Sequence, residues 1–359
     1  MTATAAPPPR TARRVGPAVR RVPTAVWGGV LSVVLLLSIV VTVTFGPADI
    51  RPAEVWGSVL GHVGLDPTLF GGEVLSPLRD GIVWELRMPR VLTAAAVGAG
   101  LALAGTVMQA ITRNPLADPY LLGLSSGASL GAVAVILLGL GVLLPVAAFA
   151  GAIAALLATL LLAGASGTLT PTRTVLAGLA VSSFFGALTS LVIFWSATGD
   201  TYREILSWLL GSLSGARWPA VAIALGALLI VGLPLMLTGR TLDAFAFGDQ
   251  AASALGVGVD STRWLLLTAT ALLTGGMVAV SGSIGFVGLI LPHAVRLVAG
   301  PRNRIVLPLS ALAGAIFLIW IDTGARTLFD PRELPVGILT AVVGAPVFAL
   351  LLFRARRIS

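Results

Sequence analysis

The chain has 359 residues, of which 57% are hydrophobic and only 11% charged, with a formal net charge of +8 and no cysteine. Water-soluble domains carry about 25% charged residues, so the composition argues against a soluble enzyme and equally against a disordered or disulfide-stapled protein. All 23 basic residues are arginine; without lysine there is no P-loop to reach nucleotide phosphates and no Schiff base.

Residues 1–24 are rich in Pro, Ala and Arg and read as a disordered cytoplasmic tail. Arg13-Arg14 and Arg20-Arg21 precede an apolar run, as in a twin-arginine export signal. That run exceeds the about 7–15 residues of a signal core and no A-x-A site follows, so it is read as a retained first helix. Ten apolar stretches then succeed one another, at roughly 25–45, 91–111, 120–139, 143–164, 174–196, 218–238, 264–282, 284–299, 305–325 and 336–353. Each is close to the about 20 residues that cross a bilayer. The eighth is expected to be short or broken, because Ser281-Gly282-Ser283-Ile284-Gly285 precedes it and Pro292-His293 interrupts it. Irregular backbone survives in a membrane only where protein or a water-filled cavity satisfies it.

Ten crossings return both termini to one side. With the termini inside, 15 arginines fall in inner segments and 8 in outer ones, the sense the positive-inside rule requires. The expected fold is therefore all-α: a multi-pass protein of the cytoplasmic membrane, with about ten transmembrane helices over 25–353, both termini cytoplasmic, and a cytoplasmic tail at 354–359. The arginines do not gather on one basic module, so the charge does not point to nucleic acid.

Three connections exceed hairpin length. Residues 46–90 form a long outer segment, and 197–217 a second in which Tyr202–Trp208 is expected to lie as an interfacial helix. Residues 239–263 form an inner loop. There Asp249 can cap a short helix through its carboxylate and Gly256 can end it. Phe245, Phe247, Ala251, Ala252 and Leu255 would give that helix an apolar face, which suits either a soluble docking partner or a fold-back onto the bundle.

Polar groups are few between the membrane faces. Asp322 is the acidic residue well within a span, and Arg326, one turn on, is expected to pair with it. A proton- or sodium-coupled carrier uses several intramembrane acids or histidines, so their scarcity points to energy supplied from outside the chain. Small residues recur every fourth position at Gly123, Gly127 and Gly131, and again at Ser182, Gly186 and Ser190, a pattern for close helix packing. The two histidines, with no cysteine, leave little for a metal site: His62 is expected to be solvated and His293 to serve packing. No cofactor is expected.

The motifs Arg87-Met88-Pro89-Arg90, Gly105-Thr106-Val107-Met108-Gln109, Asn114-Pro115-Leu116-Ala117-Asp118-Pro119, Leu122-Gly123 and Ser126-Gly127-Ala128 resemble the FecCD-type permease subunits of iron-siderophore, haem and cobalamin ABC importers. So do the run from Gly285 to Arg296, Asp322 with Ala325-Arg326, and Glu333-Leu334-Pro335-Val336-Gly337. The likeness extends from about residue 25 to the end of the last span; the long N-terminal tail departs from it.

The resemblance implies a pair of permeases, as homo- or heterodimer, around a central pathway. It also implies a cytoplasmic ABC ATPase dimer and an extracytoplasmic substrate-binding protein. By the same resemblance, Arg87, Arg90 and Arg326 would dock the binding protein, and Gly248, Asp249, Ala252, Leu255 and Gly256 would form the loop that couples to the ATPase. Pro171 and Thr172 match the cytoplasmic gate, while Met108, Gln109 and Ser125 suit a wide, weakly binding pathway. Ferric siderophore is the expected cargo, with haem or cobalamin as alternatives, and the subunit itself would not be an enzyme. A secondary transporter would need more intramembrane charge. A polytopic membrane enzyme would need convergent Asp, His, Lys or Cys groups, and acids such as Asp66 and Glu73 have no such company.

Overall fold

The computed structural model describes residues 24–46, 48–165, 170–196, 199–329 and 332–355. The expected N-terminal tail, apart from Thr24, and positions 356–359 of the expected C-terminal tail lie outside the described residues. Among the described residues no strand is present. Seven helical segments are long and apolar enough to cross a membrane, and three shorter apolar helices accompany them.

In chain order, α1 (Thr24–Thr44) leads to a connecting segment with α2 (Pro52–His62) and α3 (Pro77–Gly81). Next come α4 (Met88–Thr112), α5 (Leu124–Leu137), α6 (Leu144–Gly164) and α7 (Pro171–Ser196). The short helix α8 (Gly199–Leu209) precedes α9 (Trp218–Ala227) and α10 (Leu233–Leu237), which belong to one interrupted segment. The short helices α11 (Gly239–Phe245) and α12 (Asp249–Ala254) follow, then α13 (Val259–Ser281), α14 (Val287–Ala299), α15 (Asn303–Thr327) and α16 (Val336–Ala355).

The hub is α4, buried along nearly its whole length and packed against α15, α14, α13 and α9. Its glycines explain how. A Cβ on Gly98 would collide with the Gly314 carbonyl of α15, and one on Gly105 with the backbone of Gly288 in α14. Without water to expel between apolar helices, such backbone-to-backbone approach supplies the association. The Gly127 and Gly131 positions behave as the spacing predicts, meeting Gly151 and Ala147 of α6. The second stripe does not: nothing lies within 4 Å of a Cβ on Gly186, and Ser190 is exposed. Sequence spacing shows that a face is smooth, but not whether the same chain covers it.

Two π-helical stretches, Ile82–Arg87 and Leu228–Gly232, each end two residues before a proline, Pro89 and Pro234. A proline ring clashes with the carbonyl four residues back, and a wider turn relieves this. The amides of Met88 and Leu233 accordingly donate to the carbonyls five residues earlier, Val83 and Leu228.

The expected break before the eighth span is present, while α14 itself runs on through Pro292. The link 282–286 is unwound, with Gly282 at φ +65° and Phe286 at φ +69°. Its polar groups are met by neighbours. Tyr120 Oη donates to the Ile284 carbonyl (3.1 Å) and accepts from the Ile284 amide (3.2 Å). Ser125 Oγ donates to Ser283 Oγ at 2.8 Å, and the Ser212 amide donates to the Ser281 carbonyl at 2.9 Å. This is the satisfied, protein-enclosed irregularity that a membrane permits.

The outer helix expected at Tyr202–Trp208 is α8. Ile205 is buried against the Val133 and Ile136 cluster, while Asp200, Arg203 and Glu204 face outward. His62 is exposed, as expected, and also has aromatic company. Its ring stacks on Trp84 at 4.0 Å and 10°, Trp84 meets Trp218 at 4.7 Å, and Nε2 lies 3.6 Å from Asp80. The indole, 22 residues away in sequence, offers the ring an apolar face that short-range reading could not supply.

Candidate functional site: the two ends of the bundle

At one end of the bundle, the turn that leads into α4, α4 itself and α15 bring Arg87, Arg90 and Arg326 together, all buried at 6%, 8% and 6% exposure. The last carbonyls of α1 have no partners within their own helix. Arg87 donates through Nη1 to Val43 O (2.9 Å) and Thr44 O (3.0 Å), and through Nη2 to Ala48 O (2.6 Å). Arg326 donates to Phe45 O at 3.0 Å and Thr42 O at 2.6 Å. Two guanidinium forks thus close the C-terminus of α1, where the helix dipole favours positive charge.

The expected Asp322–Arg326 pair is corrected by this geometry. Arg90 takes the Asp322 carboxylate, its Nε lying 3.1 and 3.0 Å from Oδ1 and Oδ2. Its Nη1 reaches Glu333 at 2.8 Å. Arg326 is near enough along α15, but the free carbonyls of α1 capture its fork. Glu333, missed as a partner, sits in the quoted Glu333-Leu334-Pro335 motif, where its acidity beside an arginine-rich end was the available signal.

The outer segment has its own ion network. Burial alone would raise the Glu54 carboxyl, but the Arg51 amide (2.8 Å) and the Arg79 guanidinium (2.7 Å) outweigh it and hold it below its ordinary value. Arg79 also donates to the Asp49 carbonyl.

At the opposite end, α11 and α12 form the loop between α10 and α13. Gly248, at φ +97°, is the residue before α12, and no side chain caps the helix. Asp249 therefore does not cap as expected. It is the first helical residue, and its carboxylate accepts from Arg263 Nη2 at 2.9 and 3.0 Å. Arg263 reaches it from α13 while its guanidinium carbon stands 5.6 Å over the Phe245 ring. Gly256 does end the turn, at φ +84°, and the Val257 amide returns to the Ala252 carbonyl at 3.0 Å. The apolar face divides: Phe245 and Ala252 are buried against the bundle, whereas Phe247 and Leu255 are 79% and 69% exposed.

Pro171, half-buried, and Thr172, exposed, open α7. Met108 is fully buried in α4. Gln109 donates to Leu289 O at 3.0 Å and accepts from Arg296, tying α4 to α14. Ser125 is half-buried at its bond to Ser283. Between α4 and α5, burial pushes the Asp118 carboxyl up to about 6 although the Tyr120 amide donates to it at 2.8 Å. Among the described residues no group of three metal-ligating side chains is present.

The family model described as the FecCD transport family matches residues 34–354. The chain belongs to this family. The FecCD permease is 43% identical over 332 residues to the uncharacterized ABC transporter permease protein YvrB of Bacillus subtilis, covering 90% of this chain and 92% of that one. It is 40% identical over 356 residues to the cobalamin import system permease protein BtuC of Halobacterium salinarum (91% and 95% covered). It is 46% identical over 280 residues to the Fe(3+) dicitrate transport system permease protein FecD of Escherichia coli (77% and 86%). A solved structure of an inward-facing, metal-chelate type ABC transporter superposes with a TM-score of 0.79 at 31% identity, covering 92% of this chain and all of that one. This FecCD permease is thus a multi-pass protein of the cytoplasmic membrane and the non-enzymatic transport component of an ABC importer.

Proposed function

We propose that the chain is the permease of a ferric-siderophore importer, crossing the membrane ten times with both termini in the cytoplasm. Seven long spans plus three shorter apolar helices support that number, and the arginine bias supports the sense. It works as one of two permeases around a shared pathway, with an ATPase dimer beneath and an extracytoplasmic binding protein above. The smooth, uncovered Ser182–Gly186–Ser190 face of α7 supports pairing with a second permease.

The observation that carries the reading is the pairing of Asp322. The acid within the spans is held by Arg90 at both oxygens, which leaves it no role as a proton carrier. The driving force then enters from a partner, and the exposed Leu255, on the loop made by Gly248, Asp249, Ala252 and Gly256, is the apolar tip that partner grips. Arg87, Arg90 and Arg326 form the docking end. A carboxylate on the binding protein reaches Arg90 by replacing Glu333, whose side chain is 47% exposed. Pro171 and Thr172 begin the inner gate. Gln109, through the Leu289 carbonyl, and Ser125, through the Ser283 hydroxyl, brace the pathway wall, and Met108 lies buried in α4 beside Gln109.

For cargo, the FecD and metal-chelate relatives support a ferric chelate. The BtuC relatives, 40% identical over nearly the full chain, support cobalamin as a second reading. The test is uptake into proteoliposomes holding the permease, its ATPase and its binding protein. Ferric-siderophore uptake should require ATP and survive a protonophore. Uptake by this chain alone, or uptake that collapses with the proton gradient, would sink the reading; uptake of cobalamin but not ferric chelate would select the second.

A further inference from the structure

One cluster at the inner end has no part in the roles above. Arg240 stands three residues past Leu237, the last residue of α10, and Arg302 and Arg304 flank Asn303, the first residue of α15. Together with Asp243, Ala246, Phe247 and Pro301 they line an open cavity of about 400 Å³, within the about 300–1,000 Å³ common for ligand sites. The three arginines are exposed, and among the described residues none of their guanidinium groups has a hydrogen-bond or ion-pair partner. The acid on the rim is committed: Asp243 Oδ1 accepts the Asn303 amide at 2.6 Å and closes the N-terminus of α15.

Depth decides what such a cavity fits. At about 1.5 Å of rise per residue, all three arginines lie within a turn of the ends of apolar helices. That is where hydrocarbon gives way to headgroups. Phe247 adds an open aromatic face beside the charges. Three free guanidiniums and one apolar wall complement a phosphodiester attached to glycerol and acyl chains: the forks take the phosphate oxygens, and the ring takes the first methylenes. Basic pockets between helices on the cytoplasmic side suit anionic headgroups in this way.

We propose that this cavity binds the headgroup of an anionic phospholipid of the inner leaflet, of the phosphatidylglycerol or cardiolipin class. The proposal rests on the orientation given above, with the loop bearing α11 and α12 in the cytoplasm.

The test uses the full-length chain in a neutral detergent, its melting midpoint measured with phosphatidylglycerol, cardiolipin, phosphatidylcholine or inorganic phosphate. The two anionic lipids should raise the midpoint by about 3 °C, with no rise from phosphatidylcholine or free phosphate. The Arg302→Gln/Arg304→Gln variant should lose that shift while melting normally in detergent alone. Arg240→Gln, on the opposite wall, provides an independent reading should the double variant fold poorly. An equal shift with phosphatidylcholine, a shift with phosphate alone, or an undiminished shift in the variants would overturn the proposal. So would variants that lose the co-purifying ATPase yet respond normally to lipid, which would assign the arginines to a protein contact. Lipid binding in detergent is read without regard to sidedness, so its failure leaves the orientation standing, and a reversed orientation is detected separately by labelling.

Discussion

Arg90 and Asp322 meet across 232 residues of chain, a bifurcated contact from one guanidinium nitrogen to both carboxylate oxygens at 3.1 and 3.0 Å. The pair locks the outer ends of α4 and α15, the two helices whose glycines Gly98 and Gly314 touch further along. Removing Arg90 strands the Asp322 carboxylate, 1% exposed, without its ion-pair partner, which costs about 3–5 kcal/mol in comparable sites, whereas removing Asp322 leaves Arg90 still paired with Glu333. Arg90→Gln should therefore lower the melting midpoint of the purified protein sharply, and Arg90→Gln combined with Asp322→Asn should recover part of the loss. A double variant as unstable as the two losses added would contradict the direct pairing.

Glu333 holds the outward nitrogen of the same arginine at 2.8 Å from a half-exposed position. Glu333→Gln should leave folding nearly unchanged, since exposed pairs contribute about 0–1 kcal/mol. It should also tighten docking of the binding protein by releasing Arg90 for an incoming carboxylate, measured as a slower dissociation rate. Weaker docking in that variant would remove Arg90 from the docking surface.

Close helix approach makes an unambiguous pair of glycine tests. Gly98→Ala drives a methyl into the Gly314 carbonyl, with backbone on both sides and no flexible end to give way. Loss of folded protein on size exclusion is expected. Gly186→Ala meets nothing within 4 Å in this chain, so the subunit should fold normally, and any defect should appear as impaired assembly with a second permease.

Two carboxyls outside the spans impose opposite pH slopes. Asp118, raised to about 6 by burial, makes the folded chain bind a proton more readily than the unfolded one. Its contribution is full below the unfolded value of about 4 and is lost as pH rises to about 6. Asp118→Asn should flatten that segment of the stability curve. Glu54 is held low despite burial by the Arg51 amide and Arg79. Its stabilisation is present above the ordinary glutamate value and disappears as pH falls through the depressed one. Denaturant midpoints across pH 3–8 would show both, and an unchanged profile in Asp118→Asn would reject the buried carboxyl as its source.

The native chain contains no cysteine, so single introduced cysteines report sidedness without background. Ser253→Cys in α12 and Ser214→Cys in the loop before α9 both lie at exposed positions. In intact cells a membrane-impermeant maleimide should label position 214 and spare 253 until the membrane is opened. Early labelling at 253 would invert the orientation.

By itself the sequence determined the medium and the building blocks. Sparse charge and long apolar runs dictate lipid-embedded helices, Ser281–Gly285 marks the unwound link, and glycine spacing marks where backbones approach. These are local properties, written in composition and period. The tertiary structure alone decided which polar groups meet. Arg326 lies one turn from Asp322, yet the unsatisfied carbonyls at the end of α1 hold its fork, while Arg90 crosses from another helix to the acid. Asp249 looks like a cap in the chain but answers Arg263 on α13, and His62, exposed as expected, also stacks on Trp84. A long polar side chain in a low-dielectric bundle goes to whichever unsatisfied group lies within its reach, and that distance exists only after the helices have packed.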